Sequence, residues 1–185
     1  MHKFRLTPKE NAAGYIIDVR ENGGGNSNNG DRVSAVFIGE NFTNQRALTR
    51  KHKIFDYFER LYRIPRNKYY VESILTIKIS RLNIPGVLSA PLVVLSSSRT
   101  ASAAENFLVN FDTTNRATII GSASYGSTGQ PIFINLKSGG RVRICTRWNT
   151  YPFRTHVFCH FIVVISNFTN IFKCKIRAYF LFLFH

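Results

Sequence analysis

"SSSRTASAAENF", Ser96–Phe107, is the stretch on which the reading of the whole chain turns. A run of small hydroxyl residues stops at an arginine and leads directly into an alanine-rich segment. From about Ser102 to Asn115, the residues Ala103, Ala104, Phe107, Leu108 and Phe111 recur at spacings of three and four, which gives a helix one apolar face. A serine before such a helix is ordinarily a cap for the free amides of the first turn, and Thr100 or Ser98 could serve as well. The same place also suits a nucleophile, because unpaired N–H groups and partial positive charge gather at a helix N-terminus. The local pattern favours the cap, so the choice has to be made from the flanking segments.

On either side of this helix stand apolar, β-branched runs. "APLVVLSSS" precedes it and "RATIIGS" follows it, and both read as buried strands. Further upstream "GYIIDVR" (Gly14–Arg20) is a third such run, ended abruptly by "ENGGGN" and followed by Val33, Ala35, Val36 and Ile38 in an element the pattern leaves unassigned. "SILTIKI" alternates and reads as another strand. "PIFINLKSGGRVRICTRW" reads as a hairpin about Ser138, Gly139 and Gly140. Strands alternating with helical segments give an α/β class, and all-apolar strands are expected to be buried on both faces of a parallel or mixed sheet. Residues 51–70 are basic and aromatic, with Ile54, Phe55, Phe58, Leu61 and Tyr62 at helical spacing until Pro65 stops the pattern.

The chain has 185 residues with 44% apolar content, enough for one domain with a core. Its formal net charge is +15, which by itself suggests an anionic partner. That charge is unevenly spread. All ten carboxylates lie between Glu10 and Asp112, whereas residues 113–185 hold nine Lys or Arg and no acid. Cys145, Cys159 and Cys174 have neither paired nor metal-ligand spacing, so they imply no disulfide framework and no zinc site. The N-terminus has no long apolar stretch of the signal-peptide kind, and "YFLFLF" near the C-terminus is too short to span a bilayer. Residues 153–185 lack a clear period, and the expectation is a basic aromatic tail foreign to the preceding domain, from a shifted frame or a readthrough. The plainer alternative is a membrane-surface helix.

Three segments together resemble a known family: "YIIDVRENGGGNS", "SSSRTASAAENFL" and "RATIIGSASYGSTGQPIFINLKSGGRVRICTRWNTYP". They are similar, in order and spacing, to the C-terminal processing (tail-specific) proteases, serine peptidases, and most to the branch nearer tricorn protease and the retinoid-binding relatives. The resemblance covers residues 12–152 and is weak between 40 and 85. It implies a crotonase- or Clp-protease-like α/β fold, here incomplete, with a mixed or parallel sheet and packed helices. It also implies proteolysis through an acyl-enzyme, a polypeptide substrate and no cofactor or metal. The family motif sets the nucleophile three residues before a Glu in the first turn of the helix. That Glu is Glu105 and the nucleophile Ser102. The oxyanion donors it implies are the amide of Ala103 and the glycine cluster after the "IIDVR" strand, Gly25 with Gly24 beside it.

The departures from the family pattern bear on activity. Where many members carry a lysine base in a glycine-rich loop, this sequence has Ser127, in "YGSTGQP". The histidine-bearing segment and the C-terminal glutamate of the tricorn-like branch have no counterpart, since no acid follows Asp112. His156, His160 and His52 read as incidental. The expectation is therefore a truncated copy, weakly active or inactive, with part of its sheet uncovered. One other reading is a non-catalytic peptide binder of the same fold. Another is a basic binder of nucleic acid or membrane surfaces, which no recognised module supports, so no nucleic-acid partner is expected. Oligomeric state and compartment are not legible; relatives are often exported or envelope-associated.

Overall fold

The computed structural model describes residues 12–50, 70–137, 139–152 and 178–182. Ile54 to Tyr62, His52, His156 and His160 lie outside them. The chain runs through strand β1 (Gly14–Asp18), helix α1 (Ser27–Ile38), β2 (Phe42–Arg50) and β3 (Tyr70–Ile77). A short 3-10 turn, Ile79–Arg81, leads on to β4 (Leu92–Ser96) and helix α2 (Ala103–Thr114). β5 (Thr118–Gly121), β6 (Pro131–Asn135), β7 (Arg141–Cys145), β8 (Arg147–Thr150) and β9 (Ala178–Phe182) complete the order.

The three apolar runs read as strands form one parallel sheet, in the order β5-β4-β1-β9. Tyr15 to Asp18 stand in register with Leu92 to Leu95, and Val93 to Ser96 with Thr118 to Gly121. β9 adds to the outer side of β1, Gly14 against Ala178 and Asp18 against Phe182. Within residues 153–185, then, the segment 178–182 is a strand rather than a membrane-surface helix. β2 is central to an antiparallel sheet of order β3-β2-β8, and β6 and β7 pair with one another about the expected turn. The mixed α/β class expected from the sequence is thus the observed one.

The helices cover one face of the parallel sheet. Tyr15, Ile17 and Val19 of the β1 segment and Leu92 and Val94 of β4 point to Val33, Val36 and Phe37 of α1 and to Phe107, Leu108 and Phe111 of α2. Phe37 meets Tyr15 edge-on at 5.3 Å between ring centroids, and Phe107 meets Phe111 at 4.9 Å. Full burial of one such side chain contributes about 1.5–3 kcal/mol. The opposite face of the sheet, with Ile16, Val93 and Leu95, is only half-buried. Burial of these strands on both faces is therefore not observed: both helices sit on the same side. Arg116, just past α2, ties the layers together. Its guanidinium donates to the carbonyls of Phe37, Leu88 and Ala90 at 2.7–2.8 Å.

A polar seam joins α1, β2 and α2. Asp31 is buried, and its Oδ1 accepts from the side-chain amides of Asn44 at 2.5 Å and Asn110 at 3.1 Å; the same Asn110 amide reaches Ser34 Oγ at 3.0 Å. Burial raises the Asp31 carboxyl above the ordinary carboxylate value, partly offset by those two donors. The carboxamide oxygens of Asn44 and Asn110 have no partner among the described residues. A raised folded-state value means the native state holds this proton more tightly than the unfolded chain. Its contribution is complete below the unfolded value and is lost as pH rises through the raised one. Asp31→Asn removes the buried charge and supplies an N–H₂ for an orphaned oxygen. The expected outcome is a urea midpoint at pH 7 equal to or above that of the native chain, with the gap closing as pH falls towards 4. A midpoint well below the native value at pH 7 would contradict this account.

Candidate active site

The site begins at the end of β1. Thr100, fully buried, donates its hydroxyl to Val19 O at 2.7 Å and accepts from the Ser97 amide at 3.0 Å. It therefore pins the loop after β4 to the end of β1 and does not cap α2. Ser97 Oγ donates to Arg20 O at 2.5 Å, and the Ala101 amide donates to Asn22 O at 3.0 Å. Outside, the Arg20 guanidinium lies on Asp18 at 2.6 Å and holds that carboxyl below its usual value; Arg99 pairs with Glu21. These bonds hold the glycine cluster and the start of α2 side by side.

Ser102 stands at the N-cap of α2 with φ 57° and ψ −120°, a backbone conformation that few residues other than glycine adopt. It is half-buried. Gly24 is pressed against it: a Cβ there would lie 2.6 Å from Ser102 Cβ, 2.8 Å from Ala101 O and 3.0 Å from Ala103 N. Only glycine fits at that point, and its φ of 108° demands glycine independently. The next residue, Gly25, has φ 134° and open space where its Cβ would be. The serine, the first helical amide and the glycine cluster are thus brought together.

The three residues singled out by sequence as oxyanion donors differ in their present engagement. The Gly24 N–H already donates to Asn22 Oδ1 at 2.9 Å, and its lack of a side chain leaves room for Ser102. For the amides of Ala103 and Gly25, no acceptor is found among the described residues. Helix α2 aims its positive end at this same place.

The residue whose part the sequence understated is Glu105. It is fully buried and its carboxylate gathers four donors: the Ser102 amide (2.7 Å) and Ser127 amide (3.0 Å) on Oε2, and Ser124 Oγ (2.7 Å) and the Gly126 amide (2.6 Å) on Oε1. The reach from N3 back to the N-cap amide is half of a capping box, which the spacing Ser102/Glu105 does signal. The contacts to residues 124–127 carry no local signal at all. Through them Ser127, the position counted as that of the missing lysine, becomes a neighbour of the Ser102 backbone across one carboxylate oxygen. No lysine or histidine of the described residues contacts Ser102. The described lysines are Lys78 and Lys137, and all five histidines lie outside. Among the described residues no cluster suited to a metal ion occurs.

Glu105→Ala leaves buried amides without an acceptor, at about 1–3 kcal/mol for each group. The expected outcome is a loss of more than about 3 kcal/mol in denaturant unfolding, with faster amide exchange confined first to residues 122–130. Gly24→Ala forces the new Cβ into Ser102 and is expected to cost about 2 kcal/mol or more. An unchanged midpoint for Gly24→Ala would contradict the close approach.

A sequence model of peptidase family S41 matches residues 2–152. Among solved structures the chain is similar to the photosystem II D1 C-terminal processing protease (20% identity, TM-score 0.51), of which it spans 30% with 76% of its own length. It is similar to a putative peptidase from Parabacteroides merdae (22%, TM-score 0.59), 74% of the chain against 39% of that protein. Mature CPAF is matched at 14% identity and TM-score 0.58, 77% against 36%. The chain thus spans between a third and two-fifths, or slightly less, of the length of these structures. No curated protein matches the sequence.

Proposed function

Because the chain belongs to peptidase family S41 and forms a serine-peptidase-like domain, we propose that residues 12–152 carry a peptidase site acting on polypeptides, with Ser102 as nucleophile. The observation that carries this reading is the strained Ser102 at the head of α2, with Gly24 packed directly on it. A mere cap needs neither the unusual backbone nor the glycine. In the proposed reaction Ser102 Oγ attacks the scissile carbonyl carbon, and the carbonyl oxygen becomes an oxyanion. The Ala103 and Gly25 amides stand ready to receive it, assisted by the α2 dipole. The amine leaves with a proton, and water then releases the acyl group from Ser102. A serine hydroxyl is a weak nucleophile without a base to take its proton. With Ser127 where the family's lysine is expected, the chain is proposed to be slow, or inert towards peptides.

The position of Ser127 beside Glu105 makes this reading testable by gain as well as by loss. Ser127→Lys places an amine on the loop that Glu105 holds next to Ser102. Fluorophosphonate labelling of the native chain is expected to be weak and absent in Ser102→Ala. In Ser127→Lys it is expected to rise by about 10²-fold, the lower range of general-base assistance. Strong labelling that persists in Ser102→Ala would overturn the assignment of the nucleophile.

A further inference from the structure

The hairpin β6–β7 stands apart from the rest of the domain. Among the described residues its strands pair only with one another, and nine of their ten residues are exposed. An isolated two-stranded hairpin is marginally stable in water, so a hairpin of this kind gains from a surface that covers it. Its two faces differ sharply. Ile132 opposes Ile144 and Ile134 opposes Val142, so one face is a continuous aliphatic patch, each residue between 38% and 49% exposed. The other face carries Arg141 and Arg143, with the Arg141 guanidinium 4.0 Å over the Phe133 ring. Lys137 near the turn and Arg147 beyond β7 extend the positive charge, and no acid occurs from residue 113 onward.

From this pairing of an aliphatic face with a cationic one we propose that the β6–β7 hairpin docks on an anionic lipid surface. The occupant follows from the chemistry. A second copy of the chain would bring another +15 of charge against the first. A nucleic acid would satisfy the arginines, but it stacks on aromatic rings and offers nothing to four exposed aliphatic side chains. Anionic lipid offers both phosphate for the guanidinium groups and hydrocarbon for the isoleucines and valine. Arginine side chains can keep their heads at the headgroup level while their stems lie along the apolar region. The inference concerns the hairpin and is independent of the peptidase reading.

The single tryptophan of the chain, Trp148, is 52% exposed in β8, which begins two residues after β7 ends, and its emission is followed as a readout. The full chain is mixed with vesicles of phosphatidylglycerol and phosphatidylcholine, or of phosphatidylcholine alone, and followed by flotation and Trp148 emission. The expected result is flotation and a blue shift with the anionic vesicles only, weakening as salt is raised. The double variant Arg141→Glu/Arg143→Glu is expected to lose affinity at least about tenfold, and Ile134→Asp to bind without the blue shift. Folding of each variant is verified by circular dichroism. If one fails to fold, the milder variants Arg141→Gln/Arg143→Gln and Ile134→Ser replace it in the same vesicle and salt series. Equal binding to neutral vesicles, or binding untouched by the double variant, as a docking site within residues 153–185 would give, overturns the proposal. So does a blue shift produced as well by a soluble polyanion without lipid, or by self-association without vesicles.

Discussion

A single buried carboxylate holds the candidate site together. Glu105 lies in the first turn of α2, and its two oxygens accept from one residue on its own helix and three on the loop after β5. A buried acid without partners would be strongly destabilising, and an unpaired buried amide costs free energy as well. Here each deficit offsets the other, so the loop 124–127 has one low-energy place to lie. The Tyr125 amide, donating to Thr100 O at 2.9 Å, fixes the same loop from the other side. The order of the parallel sheet follows the same logic. β1, β4 and β5 end at one edge, where the loops that leave them are stitched to one another by Thr100, Ser97 and Glu105.

Strain at Ser102 is sustained by this scaffold. A non-glycine residue at φ 57° and ψ −120° costs on the order of 1–3 kcal/mol and persists only where the surroundings over-determine it. The amide of Ser102 is fixed by Glu105, its carbonyl accepts from the Glu105 and Asn106 amides, and its Cβ faces Gly24. Relaxing the backbone would break these bonds together. The result is a hydroxyl-bearing carbon held at the mouth of a helix near two amides that have no acceptor among the described residues, with the neighbouring chain kept close by glycine.

How much of this could be read from residues alone depended on the range of the interactions. β1, β4, β5 and α2 were legible because burial on the helix-covered face produces local apolar patterns, as in "YIIDV" and "PLVVL", whereas β9, within the segment read as a foreign tail, was not. β2 was not legible, because its sequence, "FTNQRALTR", buries Asn44 and Gln45 against the helical layer and breaks its alternation at a bulge between Thr43 and Gln45. The polar seam around Asp31 depends on partners 13 and 79 positions away and leaves no local trace. The serine, Ala103 and the glycine cluster came from motif order, and the structure brings them together. What the motif left unresolved was the division of labour: the Gly24 amide is already engaged, Thr100 is a strut rather than a cap, and Glu105 is a hub that gathers four donors. The second face of the sheet, read as fully buried, is half-buried at Ile16, Val93 and Leu95, since β-branched runs arise also in strands covered less fully on one side.

The hairpin and the candidate site are joined by backbone rather than by proximity alone. The loop that Glu105 grips at Gly126 and Ser127 continues through Gly129 into β6. At the hairpin's base Gly129 O accepts from both the Thr146 and Arg147 amides at 3.0 Å, and Thr146 Oγ1 donates to Gln130 O at 2.7 Å. Gly129 has φ 145°, and a Cβ there would lie 2.8 Å from Arg147 O, so the base of the hairpin is closed tightly on the loop. A force that orients β6–β7 therefore acts on a short segment, bonded at Gly126, Ser127, Gly129 and Gln130, whose other end is the carboxylate beneath Ser102. The hairpin is largely exposed, whereas this loop is tied down by the bonds to Glu105.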